Sequence, residues 1–284
     1  MTVAIENLPA AFGVEVHGFD PGQLDDADVV SALQEAFDER GLLVFRGLDI
    51  THRDQVRLCE LLIGKTDVTG DGSPPPEDSW YVSNKRPSSA APAGRLVFHA
   101  DSMWSEAPFE VISLYGVDVE EPAVPTTFAS SVDAWATLPD ELRARVDGLE
   151  VLHTAADVGR RKDDDILVSG VERPPSTVKP MPLVHPRTGA PILYACEQMT
   201  QEIVGMDHDE SEALLEALFA HMYDPSRTWQ HVWRKGDLVV WDNLALQHAR
   251  ANVVPDGPAR TLRKVASPMY VLAPDQQPTY SSAR

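Results

Sequence analysis

Nine histidines stand in this chain of 284 residues, and the chemistry they could do depends on which of them meet a carboxylate. His99-Ala100-Asp101 follows the apolar run Arg95-Leu96-Val97-Phe98, where a strand runs into a loop. Side chains two apart on an extended chain point the same way, so His99 and Asp101 can grip one ion while Ala100 points away. His52-Arg53-Asp54 and His208-Asp209-Glu210 share that form but stand where helices begin. There Asp54 suits a capping box with Thr51, and Asp209 and Glu210 suit the positive end of a helix dipole. Position in a strand therefore singles out His99. A third donor, His248, can return from far along the chain, beyond the turn Lys235-Gly236-Asp237 and the strand candidate Leu238 to Trp241. Alone, a His in an apolar setting reads as core; beside an HxD it becomes a candidate ligand. Two imidazoles and one carboxylate leave three adjacent positions open on Fe(II), as in non-haem iron oxygenases. The same donors with one open position also describe catalytic zinc.

The elements that must position these donors follow from hydrophobic periodicity. VAIENL and FGVEVHG alternate apolar and polar residues; residues 25–40 then switch to helical spacing, with Val29, Leu33 and Phe37 on one face and Gly41 ending the helix. Leu42 to Phe45 is a strand candidate, and Thr51 opens a second helix through Leu62. From Phe109 onward short strands predominate, namely FEVISLYGV, TTFAS, LEVLH, PILYACE, TWQHVW, DLVVWDN and TLRKVASPMYVL, between turns rich in Gly, Pro and Asp. Many short strands predict a sandwich or barrel. Helical insertions are expected around residues 131–146 and 210–223. The charged segment 155–179, poor in aromatics, reads as a lid or a loose insertion.

Length fits a single domain over 1–284 with one well-buried core. No run of eighteen apolar residues exists, and the first residues carry no basic stretch followed by an apolar one, so a cytoplasmic protein without a membrane partner is expected. With 24 basic against 44 acidic residues the net charge is -20, which repels a phosphate backbone and argues against nucleic acid. Cys59 and Cys196 lie in apolar stretches and form neither a CxxC nor a disulfide framework. The chemistry is left to His and carboxylate.

In order along the chain, HxD, GDxxxWDNxxxxH and RTLRKV resemble the motifs of the taurine dioxygenase (TauD/TfdA) family of Fe(II)- and 2-oxoglutarate-dependent oxygenases, from about Phe12 to Val271. The resemblance implies a mainly β fold with flanking helices, the double-stranded β-helix or jelly roll. It implies His99, Asp101 and His248 as the iron ligands. Thr126, carried over from TTFASSVDAWATLP, and Arg260 become the partners of the 2-oxoglutarate carboxylate. A guanidinium offers that carboxylate a bidentate fork that lysine lacks, with a hydroxyl as a natural third donor. O2 is the further co-substrate, succinate and CO2 are released, and an unactivated C–H bond of a small molecule is oxidised. Related halogenases carry a small residue at the acidic position, so Asp101 argues for oxygenation. A homo-oligomer agrees with the family's habits.

Lys264 stands four residues after Arg260, where taurine-type members carry a second basic residue for an anionic substrate, and Arg263 stands beside it. Lysine attracts an anion as a point charge without a planar grip, so sulfonate recognition does not follow. Strand neighbours face opposite ways, which lets only one of Arg263 and Lys264 point into the site. Tyr81 and Asn84 before the metal motif, and Met103 and Trp104 after it, are candidate substrate residues, with ordinary core packing as their alternative. Trp241 reads as packing and Asn243 as a turn or hydrogen-bonding residue behind the ligands. His153, His185, His221 and His231 read as structural. Two other functions stay open: a zinc hydrolase, which has no use for Thr126 and Arg260, and a non-catalytic jelly-roll binding or sensor protein.

Overall fold

A computed structural model of the chain describes residues 3–65, 81–86, 89, 91, 93–155, 167–169, 175–267 and 280–282. The alternating N-terminal residues form β1 (Ala4–Asn7) and β2 (Val14–His17), paired antiparallel. The first helix is shorter than its spacing predicts. Pro21–Asp25 forms a 3-10 turn, and α1 (Ala27–Arg40) starts only after Asp26, whose side chain accepts from the Asp28 and Val29 amides. Gly41 ends α1 in the left-handed region at φ 70°, which costs glycine little. β3 (Leu42–Phe45) follows, and Thr51 caps α2 (His52–Ile63) by accepting from the Asp54 amide at 3.2 Å.

Beyond these come β4 (Tyr81–Ser83), β5 (Gly94–His99), β6 (Val111–Val119) and β7 (Thr126–Ser130). The expected helix over 131–146 is two helices, α3 (Ser131–Ala136) and α4 (Asp140–Val146). Pro139 separates them, because the residue before a proline is pushed out of the helical region. β8 (Leu149–Thr154), β9 (Leu167–Ser169), β10 (Ser176–Met181), β11 (Leu183–Val184), β12 (Pro191–Ile192) and β13 (Thr200–Ile203) lead to α5 (His208–Met222). PILYACE is a strand only in its first two residues. Its later backbone bonds elsewhere: the Leu193 amide to the Ser131 carbonyl at 3.0 Å and the Cys196 amide to Thr200 Oγ1 at 2.7 Å. The segment 155–179 expected as a lid lies largely outside the described residues; its last part belongs to β10. The chain closes with β14 (Thr228–His231), β15 (Leu238–Asp242), β16 (Leu246–Val253), β17 (Arg260–Ser267) and β18 (Tyr280–Ser282).

Two sheets build the frame of the site. One has seven strands in the order β1-β2-β3-β15-β6-β17-β4, the other four in the order β14-β7-β16-β5. Among the described residues only β2 and β3 pair in parallel. Alternation along β3 and β15 sorts their side chains: Leu43, Phe45, Leu238 and Val240 face α1 and α2, while Leu42, Val44, Val239 and Trp241 face the second sheet. A sheet covered on both faces gives strands buried throughout, as β3 and β15 are. Between the sheets Phe128 of β7 meets Trp241 edge to face, with ring centroids 5.3 Å apart. Two antiparallel sheets face to face, with helices outside, make the jelly roll. Among the described residues no helix is long and apolar enough to cross a membrane.

Candidate metal centre and co-substrate pocket

Strand pairing brings the candidate ligands together. His248 of β16 stands directly across from His99, the last residue of β5, and the two imidazole centroids are 4.2 Å apart. His99 Nδ1 lies 2.8 Å from the Val97 carbonyl oxygen. That bond places the ring proton on Nδ1 and leaves the Nε2 lone pair facing inward. Asp101 Oδ1 is 3.2 Å from His99 Nε2 and 4.0 Å from His248 Nε2. One ligand atom from each of the three residues lies within 4.8 Å of the others, and among the described residues no other group of His, Cys, Asp and Glu does this. His52 and His208 instead begin α2 and α5, away from any such cluster.

The loop carrying Asp101 is held by Asn243. Its side-chain oxygen accepts from the Asp101 amide at 2.9 Å, and its Nδ2 donates to the Asp101 and Phe109 carbonyls at 2.8 and 2.9 Å. Next to it, buried Asp242 shapes the turn from β15 to β16: Oδ1 accepts from the Leu244 and Ala245 amides at 2.9 Å, and Oδ2 pairs with His185 and Arg187. The WDN residues are thus one packing ring, one turn staple and one clamp on the carboxylate's backbone.

Burial pushes the Asp101 carboxyl up, but contact with Lys264, then His99 and His248, holds it well below the ordinary carboxylate range. Burial also holds His248 well below its usual value, with His99 adding to the effect and Asp101 opposing it. A carboxylate beside a neutral imidazole is the protonation pattern a divalent ion requires of its ligands.

A cavity of about 230 Å³ opens from these donors, and Thr126, Arg260, Lys264 and Trp104 line it. Arg260 is 3% exposed. Its Nε donates to the Val124 carbonyl at 2.9 Å and one terminal nitrogen to Thr126 Oγ1 at 3.0 Å. Among the described residues no carboxylate pairs with it, and burial, with Arg250 adding, pushes its pKa well below the usual value. A guanidinium does not deprotonate in proteins. The site therefore stores an uncompensated buried cation, a strongly unfavourable state unless an anion joins it.

Sequence alternation leaves Arg263 and Lys264 on opposite faces. Lys264 turns inward to Asp101 Oδ2, while Arg263 turns outward, donating to Gln55 Oε1 at 2.8 Å and the Ile50 carbonyl at 2.7 Å. Three expected substrate residues do not line the cavity. Tyr81 is turned away because Val82 takes the inward face of β4, and the Arg86 guanidinium stands 3.7 Å over its ring. Asn84 spends its amide on the loop before β17, donating to the Val254 and Pro258 carbonyls at 3.0 and 2.9 Å and accepting from the Arg260 amide at 2.9 Å. Met103 is buried in an apolar cluster with Ala100, Tyr194 and Cys196.

Gln198 and Arg250 line the cavity without having been singled out from the sequence. Arg250 is 5% exposed, held to about pKa 10 by burial, and among the described residues donates to the Ala91 and Ala93 carbonyls. Its signal was available: it stands two residues after His248 on one strand. Gln198 has none, because it sits in the irregular stretch after β12, where no period assigns a face.

The family described as "Taurine catabolism dioxygenase TauD, TfdA family" matches residues 4–266. Pentalenolactone F synthase of Streptomyces avermitilis is 27% identical over 287 residues, covering 93% of either chain. The (S)-phenoxypropionate/alpha-ketoglutarate-dioxygenase of Sphingobium herbicidovorans is 29% identical over 263 residues, covering 86% of this chain and 88% of its own. A putative alpha-ketoglutarate-dependent taurine dioxygenase from Burkholderia xenovorans shares the fold at a TM-score of 0.76 and 24% identity, over 98% of this chain and 97% of its own. AAD-2, solved in complex with Mn(II) and N-oxalylglycine, does so at 0.72 and 23%, over 94% and 97%. By the extent of the family match, this chain belongs to the TauD/TfdA family of dioxygenases.

Proposed function

We propose that this chain is an Fe(II)- and 2-oxoglutarate-dependent oxygenase that oxidises a C–H bond of a small anionic molecule, releasing succinate and CO2. His99, Asp101 and His248 would hold the ion, and Thr126 and Arg260 the far carboxylate of 2-oxoglutarate. One observation carries this reading: a buried arginine with no carboxylate partner among the described residues lines the same cavity as the His-Asp-His cluster. The donor set fits ferrous iron, since two imidazoles and a carboxylate leave three adjacent positions free.

Each residue's task follows from its surroundings. The Val97 carbonyl accepts a hydrogen bond from the His99 Nδ1–H, which leaves the Nε2 lone pair for a metal ion. Arg260 supplies a permanent charge in a fork that matches a carboxylate. Trp104 and Phe109 line the cavity with apolar surface that excludes water. A bound ferrous ion would supply, with O2, the oxidative chemistry that couples loss of CO2 from the co-substrate to oxidation of the substrate's C–H bond. A divalent ion and a dianionic co-substrate cancel in charge. Among the described lining residues Arg250, Arg260 and Lys264 then face Asp101 alone, an excess of positive charge that suits an anionic substrate, with Lys264 as its attractor.

The two sheets share one core, which supports a single oxygenase domain. Fe(II) and 2-oxoglutarate added without oxygen should give the weak visible charge-transfer band implied by the family, and O2 should then release succinate. Zinc binding with neither band nor succinate would favour a hydrolase instead, and co-substrate binding without succinate a sensor.

A further inference from the structure

The geometry points to Trp233 as a positioning residue for the co-substrate: with Arg260 it fills both acceptor positions of the Thr126 hydroxyl and commits that hydroxyl's proton to a carboxylate seated at Arg260. The inference rests on the co-substrate seat assigned in the preceding section. Trp233 Nε1 donates to Thr126 Oγ1 at 3.0 Å, and an Arg260 terminal nitrogen donates to the same oxygen at 3.0 Å. A hydroxyl has two lone pairs and one proton. Neither indole nor guanidinium can accept a hydrogen bond, so both contacts fix the oxygen as acceptor and leave its proton a third direction. Among the described residues no group takes that proton, although Thr126 is only 2% exposed and lines the cavity. A buried donor is normally paired, and the partner that completes this one is an anionic oxygen in the cavity.

The fold makes the arrangement rigid. β14 pairs with β7 so that His231 stands across from Thr126, and the chain then carries Trp233 to the same oxygen. The indole is fully buried, edge-on to His231 with ring centroids 4.5 Å apart, and lies 5.8 Å from the Arg260 guanidinium carbon. Without the indole N–H, one lone pair of Thr126 opens and the hydroxyl is free to turn that lone pair toward the anion.

The test compares 2-oxoglutarate with 2-oxopentanoate, which carries a methyl group in place of the far carboxylate, by calorimetric binding to the zinc-loaded full chain. The unaltered protein should prefer 2-oxoglutarate. Trp233→Phe should lose about five- to tenfold of that preference, the worth of one hydrogen bond, while its affinity for 2-oxopentanoate stays within about twofold. In a Thr126→Val background the same change should have no further effect. Equal weakening of both ligands would make the indole mere packing and overturn the inference alone. No preference in the unaltered protein would remove the seat itself, and both readings with it. If Trp233→Phe does not fold, the chain labelled with 15N at its six tryptophan indoles answers the same question. One indole signal should move with 2-oxoglutarate, stay put with 2-oxopentanoate and shift in Thr126→Val; six unresponsive signals would overturn the inference.

Discussion

At the scale of single residues, carboxylates of identical sequence context do different work. Asp101 and Asp54 each end an HxD triplet, but Asp101 sits beside two imidazoles whereas Asp54 accepts from the Thr51 hydroxyl at 2.6 Å in the first turn of α2. Asp101→Ala should abolish the charge-transfer band and succinate release. Asp54→Ala should leave both intact and cost about 0.5 kcal/mol of stability; spectroscopy and urea titration separate them. His99 and Asp101 were legible because a period of two places them on one side. Asn84 was misread as a pocket residue because sequence shows an amide's chemistry but not its partners, and its partners are main-chain groups 170 to 176 positions away. Trp233 was equally hidden, since only the pairing of β14 with β7 brings it to Thr126.

At the scale of elements, the strands that carry the site were legible because each is an apolar run bounded by turn residues, as in Leu238–Asp242 after Lys-Gly-Asp. What failed was continuity: one predicted helix became α3 and α4 at Pro139, and PILYACE left its strand after two residues. The first break is set by Pro139 itself; the second reflects hydrogen bonds made outside the element, which no local pattern records. The approach of β6 to the turn before β15 is another such contact. A Cβ on Gly116 would lie 2.6 Å from the Arg234 carbonyl oxygen, while the Gly116 and Gly236 backbones bond at 2.8 Å. Gly116→Ala should therefore destabilise the fold by about 1–3 kcal/mol through overpacking, measured as a lower urea midpoint. A neutral result would mean the turn yields freely.

At the scale of the whole molecule, buried histidines set the response to acid. Burial, with Lys179 adding, lowers His153 to about 3, and burial lowers His231 despite Asp237. A depressed folded pKa means that the unfolded chain binds the extra proton, so this stability is complete above the unfolded value near pH 6.5 and is lost as pH falls toward the folded one. The stability difference between the parent and His153→Gln should therefore shrink below pH 6.5 by up to about 1.4 kcal/mol per unit; urea midpoints from pH 7 to 5 measure it, and a constant difference refutes it. Charge acts over the same scale. A chain of net charge -20 repels a dianion at long range, while the cations proposed to bind it are shielded inside. Stopped-flow association of 2-oxoglutarate should accelerate between about 10 and 150 mM salt, as screening shortens to about 8 Å; slowing would mean that the cavity's own field dominates.

The orienting oxygens of Val97 and Val124 belong to the main chain, not to side chains. Evolutionary drift in either side chain leaves those oxygens where the main chain of β5 and of the approach to β7 puts them, so descendants would inherit the ligand and carboxylate seats with the backbone itself. Other residues that line the cavity, such as Trp104 and Gln198, are then free to diversify toward new molecules without an intermediate ancestor losing its metal-ligand cluster.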